Sequence, residues 1–268
     1  MELEILRTAV LGIIQGLAEF LPVSSSGHLE IAKFLLGDTA IGEESLMMTV
    51  MLHFATALST LFVFRKDIRN ILKDLFRKSW NEGQEFTLKI ILSMIPAGLI
   101  GFFFEPVFET LFSQKVGFVG LMLLSTAALL IFADRSYETR RPLNRWDALW
   151  IGFAQAVALL PGISRSGSTL ATSLYLGVDR YQAARFSFLM VVPLIFGKIG
   201  YEILLGDSLG NSVSTTALIV GFGTAFLFGV LACKWMIRLV MLSKLRYFGF
   251  YCIAAGLFAI ILSLVYRG

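Results

Sequence analysis

The chain alternates long apolar stretches with short polar ones, and the apolar stretches are of two kinds. Six are continuous: Leu46–Phe64, Thr87–Phe104, Val116–Ala133, Phe186–Leu205, Thr215–Trp235 and Tyr247–Tyr266. Each is close to the roughly 20 residues with which a helix crosses hydrocarbon, so each predicts a membrane span. Pro96 and Pro193 fall inside two of them and predict kinks. Two more stretches are interrupted. Glu4–Leu36 breaks at Pro22-Val23-Ser24-Ser25-Ser26-Gly27, and Trp146–Leu176 breaks at Pro161-Gly162-Ile163-Ser164-Arg165-Ser166-Gly167. The apolar run is short on each side of a break. The piece after it, His28–Leu36 or Ser168–Leu176, makes about 14 Å of helix, half a bilayer. Helix, turn and half-helix predict a re-entrant hairpin that returns to the side it came from. The stretches are continuously apolar rather than alternating, which excludes a β-barrel.

The two broken segments match each other. At an offset of 140, Gly12 pairs with Gly152, Gln15 with Gln155, Ser24 with Ser164, Ser26 with Ser166 and Gly27 with Gly167. The prolines, Pro22 and Pro161, slip by one. A shared S-x-S-G at the end of such a run reads as an internal duplication. Each half is then one broken segment and three spans, repeat 1 at about 1–135 and repeat 2 at about 145–268 of a single membrane domain. A re-entrant hairpin does not change sides and three spans do, so the repeats are inverted. Inverted repeats with broken helices put a binding site where the breaks meet, near mid-membrane. The expected fold is therefore all-α and polytopic: six transmembrane helices plus two re-entrant helix-loop-helix segments.

Composition agrees with a membrane chain. Hydrophobic residues are 56% of the 268 and charged residues 16%, with a mean hydropathy of +0.76. Soluble domains are nearer a quarter charged, so a soluble enzyme and a disordered chain are both excluded. The net charge of +4 reads as basic cytoplasmic loops, not as nucleic-acid binding. Loops 65–89, 134–147, 177–185 and 234–246 would share one side and hold 17 of the 23 basic residues. That side is predicted cytoplasmic and both termini outside. The N-terminal stretch carries Glu2, Glu4, Gln15 and Glu19, a poor signal peptide, and is expected to be retained. Cys233 and Cys252 read as small core or lipid-side residues.

Chemistry concentrates at the breaks. Glu19 and Gln15 lie four apart on one helix face. A carboxylate at membrane depth costs about 2–3 kcal/mol on insertion scales and marks function by default. Pro22 ends one helix and serine caps the next, but Ser24, Ser25, Ser26 and His28 together exceed what a cap requires. A helix N-terminus with free N–H groups attracts anions, and His28 can act as acid, base or nucleophile. In the second break, Ser164, Ser166, Ser168 and Thr169 surround Arg165, whose fork suits phosphate oxygens. An Arg165–Glu19 ion pair is compatible with this, since an empty anion site needs an internal counter-ion. His53 and Lys198 lie inside spans and could face the site or merely be solvated. The Walker A and HExxH motifs are absent. The residues thus describe an anion site for a lipid-borne phosphate, and leave cleavage and transport both open.

These motifs are recognisable. GIIQGLAEFLPVSSSGHL at 12–29 and LPGISRSGST at 160–169 resemble the signatures of the bacterial undecaprenyl-pyrophosphate phosphatases of the bacitracin-resistance type. The first matches [E/Q]-x-x-x-E followed by P-V-S-S-S-G-H, and the second P-G-x-S-R-S-x-x-T. The resemblance covers the whole chain. It implies hydrolysis of undecaprenyl diphosphate to undecaprenyl phosphate and inorganic phosphate, recycling the lipid carrier of peptidoglycan synthesis in the bacterial inner membrane. It also implies a divalent cation, Mg²⁺ or Ca²⁺, an outward-opening site and bacitracin resistance. The family's motif residues carry over to Glu19, Ser25, His28, Arg165, Ser164 and Thr169, with Gln15, Ser24, Ser26 and Ser166 as further substrate contacts. Glu19 is the best candidate metal ligand. Gln15 stands where some members carry Glu, which weakens any two-carboxylate metal site.

Three routes to cleavage remain: Ser25 as nucleophile with His28 assisting and Glu19 orienting His28, His28 as nucleophile, or a metal-bound water with Glu19 holding the metal. The first is the preferred expectation. The rival function is a polyprenyl-phosphate flippase or anion transporter, which needs Arg165 and N–H groups but no nucleophile. The oligomeric state is open, a homodimer being one possible assembly.

Overall fold

The computed structural model describes residues 2–35, 43–104, 116–136, 139–205 and 214–265. Among them the chain is all-helical, with a lone bridge between Arg141 and Val178 and no sheet. The helices are α1 (Glu2–Phe20), α2 (Ser25–Leu35), α3 (Glu43–Val63), α4 (Arg65–Leu75), α5 (Glu82–Phe103) and α6 (Val116–Ala133). They continue with α7 (Arg145–Val157), α8 (Arg165–Tyr175), α9 (Arg180–Leu189), α10 (Val191–Leu205), α11 (Thr215–Met241) and α12 (Leu245–Val265). Polar caps start several of them: Asn81, Ser164, Asp179 and Ser214 each accept a backbone N–H in the first turn. Asn144 and Asp147 form a reciprocal capping box on α7, and Arg141 clamps the Asp147 carboxylate through two hydrogen bonds.

The protein is a helical membrane protein. α5, α6, α11 and α12 are long and apolar enough to cross a bilayer, and α3 joins them if it is counted with α4, which leaves it at 79°. Small residues let the long helices touch backbone to backbone. α6 packs along α12, α1 along α11, and α7 along α5. A Cβ on Gly120 would lie 2.6 Å from the Gly256 carbonyl oxygen, and one on Gly256 would lie 2.7 Å from that of Gly120. Gly12 meets the Gly221 carbonyl of α11 in the same way, and its sequence counterpart Gly152 meets the Ser93 carbonyl of α5.

Several expectations are corrected. Phe186–Leu205 is not one span kinked at Pro193. The chain breaks at Met190, and Pro193 falls in the first turn of α10, where its missing N–H would have no helical partner anyway. The loop expected at 177–185 is mostly α9, with Arg180 buried and its Nη1 3.5 Å from the Val240 carbonyl. The loop expected at 65–89 is α4 and the start of α5, because the basic residues of 65–75 leave one apolar stripe that packs Ile68 and Ile71 on the core. Lys234 and Arg238 lie within α11 rather than in a loop. α1 is also not short: its 19 residues make about 28 Å of helix, whereas α7 has 13. α5 runs through Pro96 without interruption. The side chain of Lys198 lies outside the described residues.

Candidate active site

Each broken segment ends its first helix just before the serine-rich motif and starts its second inside it. Ser24 Oγ accepts from Gly27 N at 3.2 Å and lies 3.3 Å from Ser26 Oγ. Ser164 Oγ accepts from Gly167 N at 3.1 Å and lies 3.3 Å from Ser166 Oγ. The two motifs therefore fold alike. They differ in where the left-handed turn residue falls: Gly162, at φ +98°, takes it in the second break, while in the first it is Ser24 itself, at φ +70°. A side chain pays a steric cost there that glycine does not, a strain found mainly at functional sites.

The two breaks meet. A Cβ on Gly27 would lie 3.1 Å from Gly162 Cα, and Ser166 Oγ donates to the Leu21 carbonyl at 3.4 Å. α2 and α8 both begin at this junction, so their free N–H groups collect there. α6 holds the second break from outside: Thr126 Oγ1 donates to the Gly162 carbonyl at 3.1 Å and accepts from Ser164 N at 3.0 Å. Thr169, expected at the site, is turned into the packing, with its hydroxyl 2.5 Å from that of Ser187 and donating to the Arg165 carbonyl.

Glu19 is the hub and is buried. Its Oε1 takes a hydrogen-bonded ion pair from Arg165. Its Oε2 accepts from Ser25 Oγ at 2.8 Å and from Gln15 Nε2 at 3.0 Å, and His53 Nε2 stands 3.9 Å away. Gln15 Nε2 also lies 3.5 Å from Thr56 Oγ1. Thus Glu19, Arg165, Ser25 and Gln15 form one cluster, with His53 at its edge.

His28 does not join it as expected. Its Nδ1 lies 2.9 Å from the Ser24 carbonyl and its Nε2 2.8 Å from the Tyr251 hydroxyl, so both ring nitrogens are engaged away from Ser25. The carboxylate in hydrogen-bond contact with the Ser25 hydroxyl is Glu19, without an intervening histidine. Thr126, Thr56 and Tyr251 were not legible as site residues, since each is an ordinary span residue until packing brings it to a break.

The described residues contain no cluster of three or more His, Cys, Asp or Glu that could hold a metal by themselves. The donors do fit a cation shared with substrate. Gln15 Oε1 is buried beside Glu19 without a hydrogen-bond partner, and Mg²⁺ sites commonly use one or two protein oxygens plus substrate phosphates.

A polytopic helical membrane protein with an arginine, a carboxylate and hydroxyls at two abutting helix starts belongs to a narrow class. The chain belongs to the bacitracin resistance protein BacA family, whose model matches residues 8–258. It is 55% identical over 261 residues to the undecaprenyl-diphosphatase of Christiangramia forsetii, covering 97% of this chain and 99% of the relative. It is 47% identical over 264 residues to that of Bacteroides thetaiotaomicron, with 97% and 99% covered. The enzyme of Halothermothrix orenii is 40% identical over 265 residues, again with 97% and 99% covered.

Proposed function

We propose that the chain hydrolyses undecaprenyl diphosphate to undecaprenyl phosphate and inorganic phosphate, with Ser25 as nucleophile and Glu19 as its base. The activity is that by which its relatives are named, and it accounts for bacitracin resistance and for a role in cell-wall synthesis. The observation that carries the mechanism is the 2.8 Å hydrogen bond from Ser25 Oγ to Glu19 Oε2, beside Arg165.

The steps balance. The diphosphate enters with its charge toward Arg165 and the first N–H groups of α2 and α8, drawing the guanidinium from Glu19. Ser25 Oγ gives its proton to Glu19 and bonds the terminal phosphorus, and the bridging P–O bond breaks. Undecaprenyl phosphate leaves as an anion and needs no proton. Glu19 then gives up the serine proton to bulk water and, a carboxylate again, takes a proton from the attacking water. The water oxygen bonds phosphorus, the Ser25 Oγ–P bond breaks, and Glu19 returns that proton to Oγ, releasing inorganic phosphate. Gln15 and Glu19 would hold a Mg²⁺ or Ca²⁺ ion together with the diphosphate, and the ion would neutralise phosphate charge. Ser24, Ser26, Ser164 and Ser166 set the two turns, and Thr169 packs behind them.

The same reading takes the chain as one membrane domain of two inverted repeats, in the bacterial plasma membrane with both termini outside. The helix pairings support the two repeats: α1 with α11 and α7 with α5 are equivalent under exchange of the repeats, and α6 with α12 is its own equivalent. So does the shared hydrogen bond by which the Ser24 and Ser164 hydroxyls each accept from the glycine N–H three residues on.

Purified protein in detergent should release phosphate from undecaprenyl diphosphate, lose that activity in EDTA and regain it with Mg²⁺ or Ca²⁺. Mass spectrometry of acid- and base-quenched enzyme separates the routes. An acid-stable, base-labile adduct on Ser25 is expected, whereas an acid-labile adduct on His28, or full turnover in Ser25→Ala, would exclude Ser25.

A further inference from the structure

We infer that Tyr251 is a positioning residue of this site, acting through His28 on the turn that carries Ser25. The inference rests on the reading of Ser25 as nucleophile. Tyr251 belongs to α12, far from both serine motifs in sequence, and α12 lies along the first break: the Sγ of the adjoining Cys252 is 3.8 Å from the Pro22 carbonyl.

The hydrogen-bond inventory fixes the roles. The Ser24 carbonyl can only accept, so His28 Nδ1, at 2.9 Å, carries the proton. In the neutral ring Nε2 is then a bare acceptor, and the Tyr251 hydroxyl at 2.8 Å donates to it. The two rings are also stacked, with centroids 5.5 Å apart and planes 13° from parallel. His28 is thereby held at both nitrogens and on one face, as a single tautomer.

What it holds is the strained residue. Ser24 is one of two described non-glycine residues at positive φ, and it immediately precedes Ser25. Its carbonyl takes both the His28 ring and the His28 backbone N–H, the latter at 3.1 Å. Tyr251 thus braces His28, His28 braces the Ser24 carbonyl, and that turn aims Ser25 Oγ at Glu19. The phenol is half-exposed and is not needed to fill the core, so its hydroxyl can be removed with little cost to packing.

The test is Tyr251→Phe, which keeps the ring stack and removes only the donor. Histidine ¹⁵N spectra in detergent give a readout independent of turnover, and with only two histidines in the chain, His53→Gln assigns the signals. The wild type should show His28 with a protonated Nδ1 and a hydrogen-bonded bare Nε2. In Tyr251→Phe the Nε2 signal should move to the position of an unbonded nitrogen. Turnover should fall about tenfold, as loss of one such bond allows, with KM within about twofold. In a His28→Ala background the same substitution should cost nothing further. Unchanged His28 signals, wild-type turnover in Tyr251→Phe, or an equal loss in the His28→Ala background would each overturn the inference. If Ser25→Ala retained turnover, the proposed mechanism would fail while the spectra still reported on the Tyr251–His28 bond.

Discussion

Ser25 Oγ donates to Glu19 Oε2 at 2.8 Å while the other oxygen of the same carboxylate is paired with Arg165. One buried carboxylate therefore holds the proposed nucleophile and the proposed charge partner of the substrate at once. In the proposed mechanism incoming phosphate would compete with Glu19 for Arg165, and the carboxylate freed by that exchange would be the one already bonded to the hydroxyl.

Glu19→Gln keeps the shape and removes the proposed base. Turnover of undecaprenyl diphosphate should fall roughly 10²- to 10⁴-fold, the range of general-base catalysis. Steady-state phosphate release measures it. A loss below about threefold would exclude Glu19 as the base.

Arg165→Lys keeps the charge and loses the planar fork. An ammonium cannot make two parallel hydrogen bonds to phosphate oxygens, and losing one charge-assisted bond costs about 2 kcal/mol, roughly 30-fold in rate. Phosphate release by the variant, with Tm in detergent beside it, tests this. Near wild-type turnover would mean that Arg165 serves the ion pair alone.

Thr126→Val removes a hydroxyl that serves the Gly162 carbonyl and the Ser164 N–H together. Both backbone groups would be left buried and unpaired, at about 1–3 kcal/mol each. Tm in detergent should drop and turnover should fall with it, because the N-cap of α8 loosens. Thr126→Ser, which keeps both bonds, should recover most of the loss.

Trp80→Cys reports sidedness, since Trp80 is exposed between α4 and α5. In a background with Cys233 and Cys252 replaced by Ala, an impermeant thiol reagent should label it only after the cells are opened. Labelling in intact cells would reverse the orientation.

The sequence by itself determined a short set of polar residues that only chemistry would explain. Glu19, Ser24–Ser26, His28 and Arg165 stood out because polar groups are costly in apolar stretches, so their presence had to be explained. Proline and serine likewise marked both breaks, since they act on their own helix. Partners across the fold were not legible. That Glu19 takes Ser25 directly, that His28 faces Tyr251, and that Thr126 holds Gly162 and Ser164 are consequences of α12 and α6 packing beside the breaks. An ordinary tyrosine or threonine in a span carries no local mark of its neighbour. The ends of helices escaped for a related reason. Hydropathy measures solubility in lipid, whereas α9, α10 and α11 start and stop where backbone hydrogen bonds and caps allow, which the packed chain alone decides.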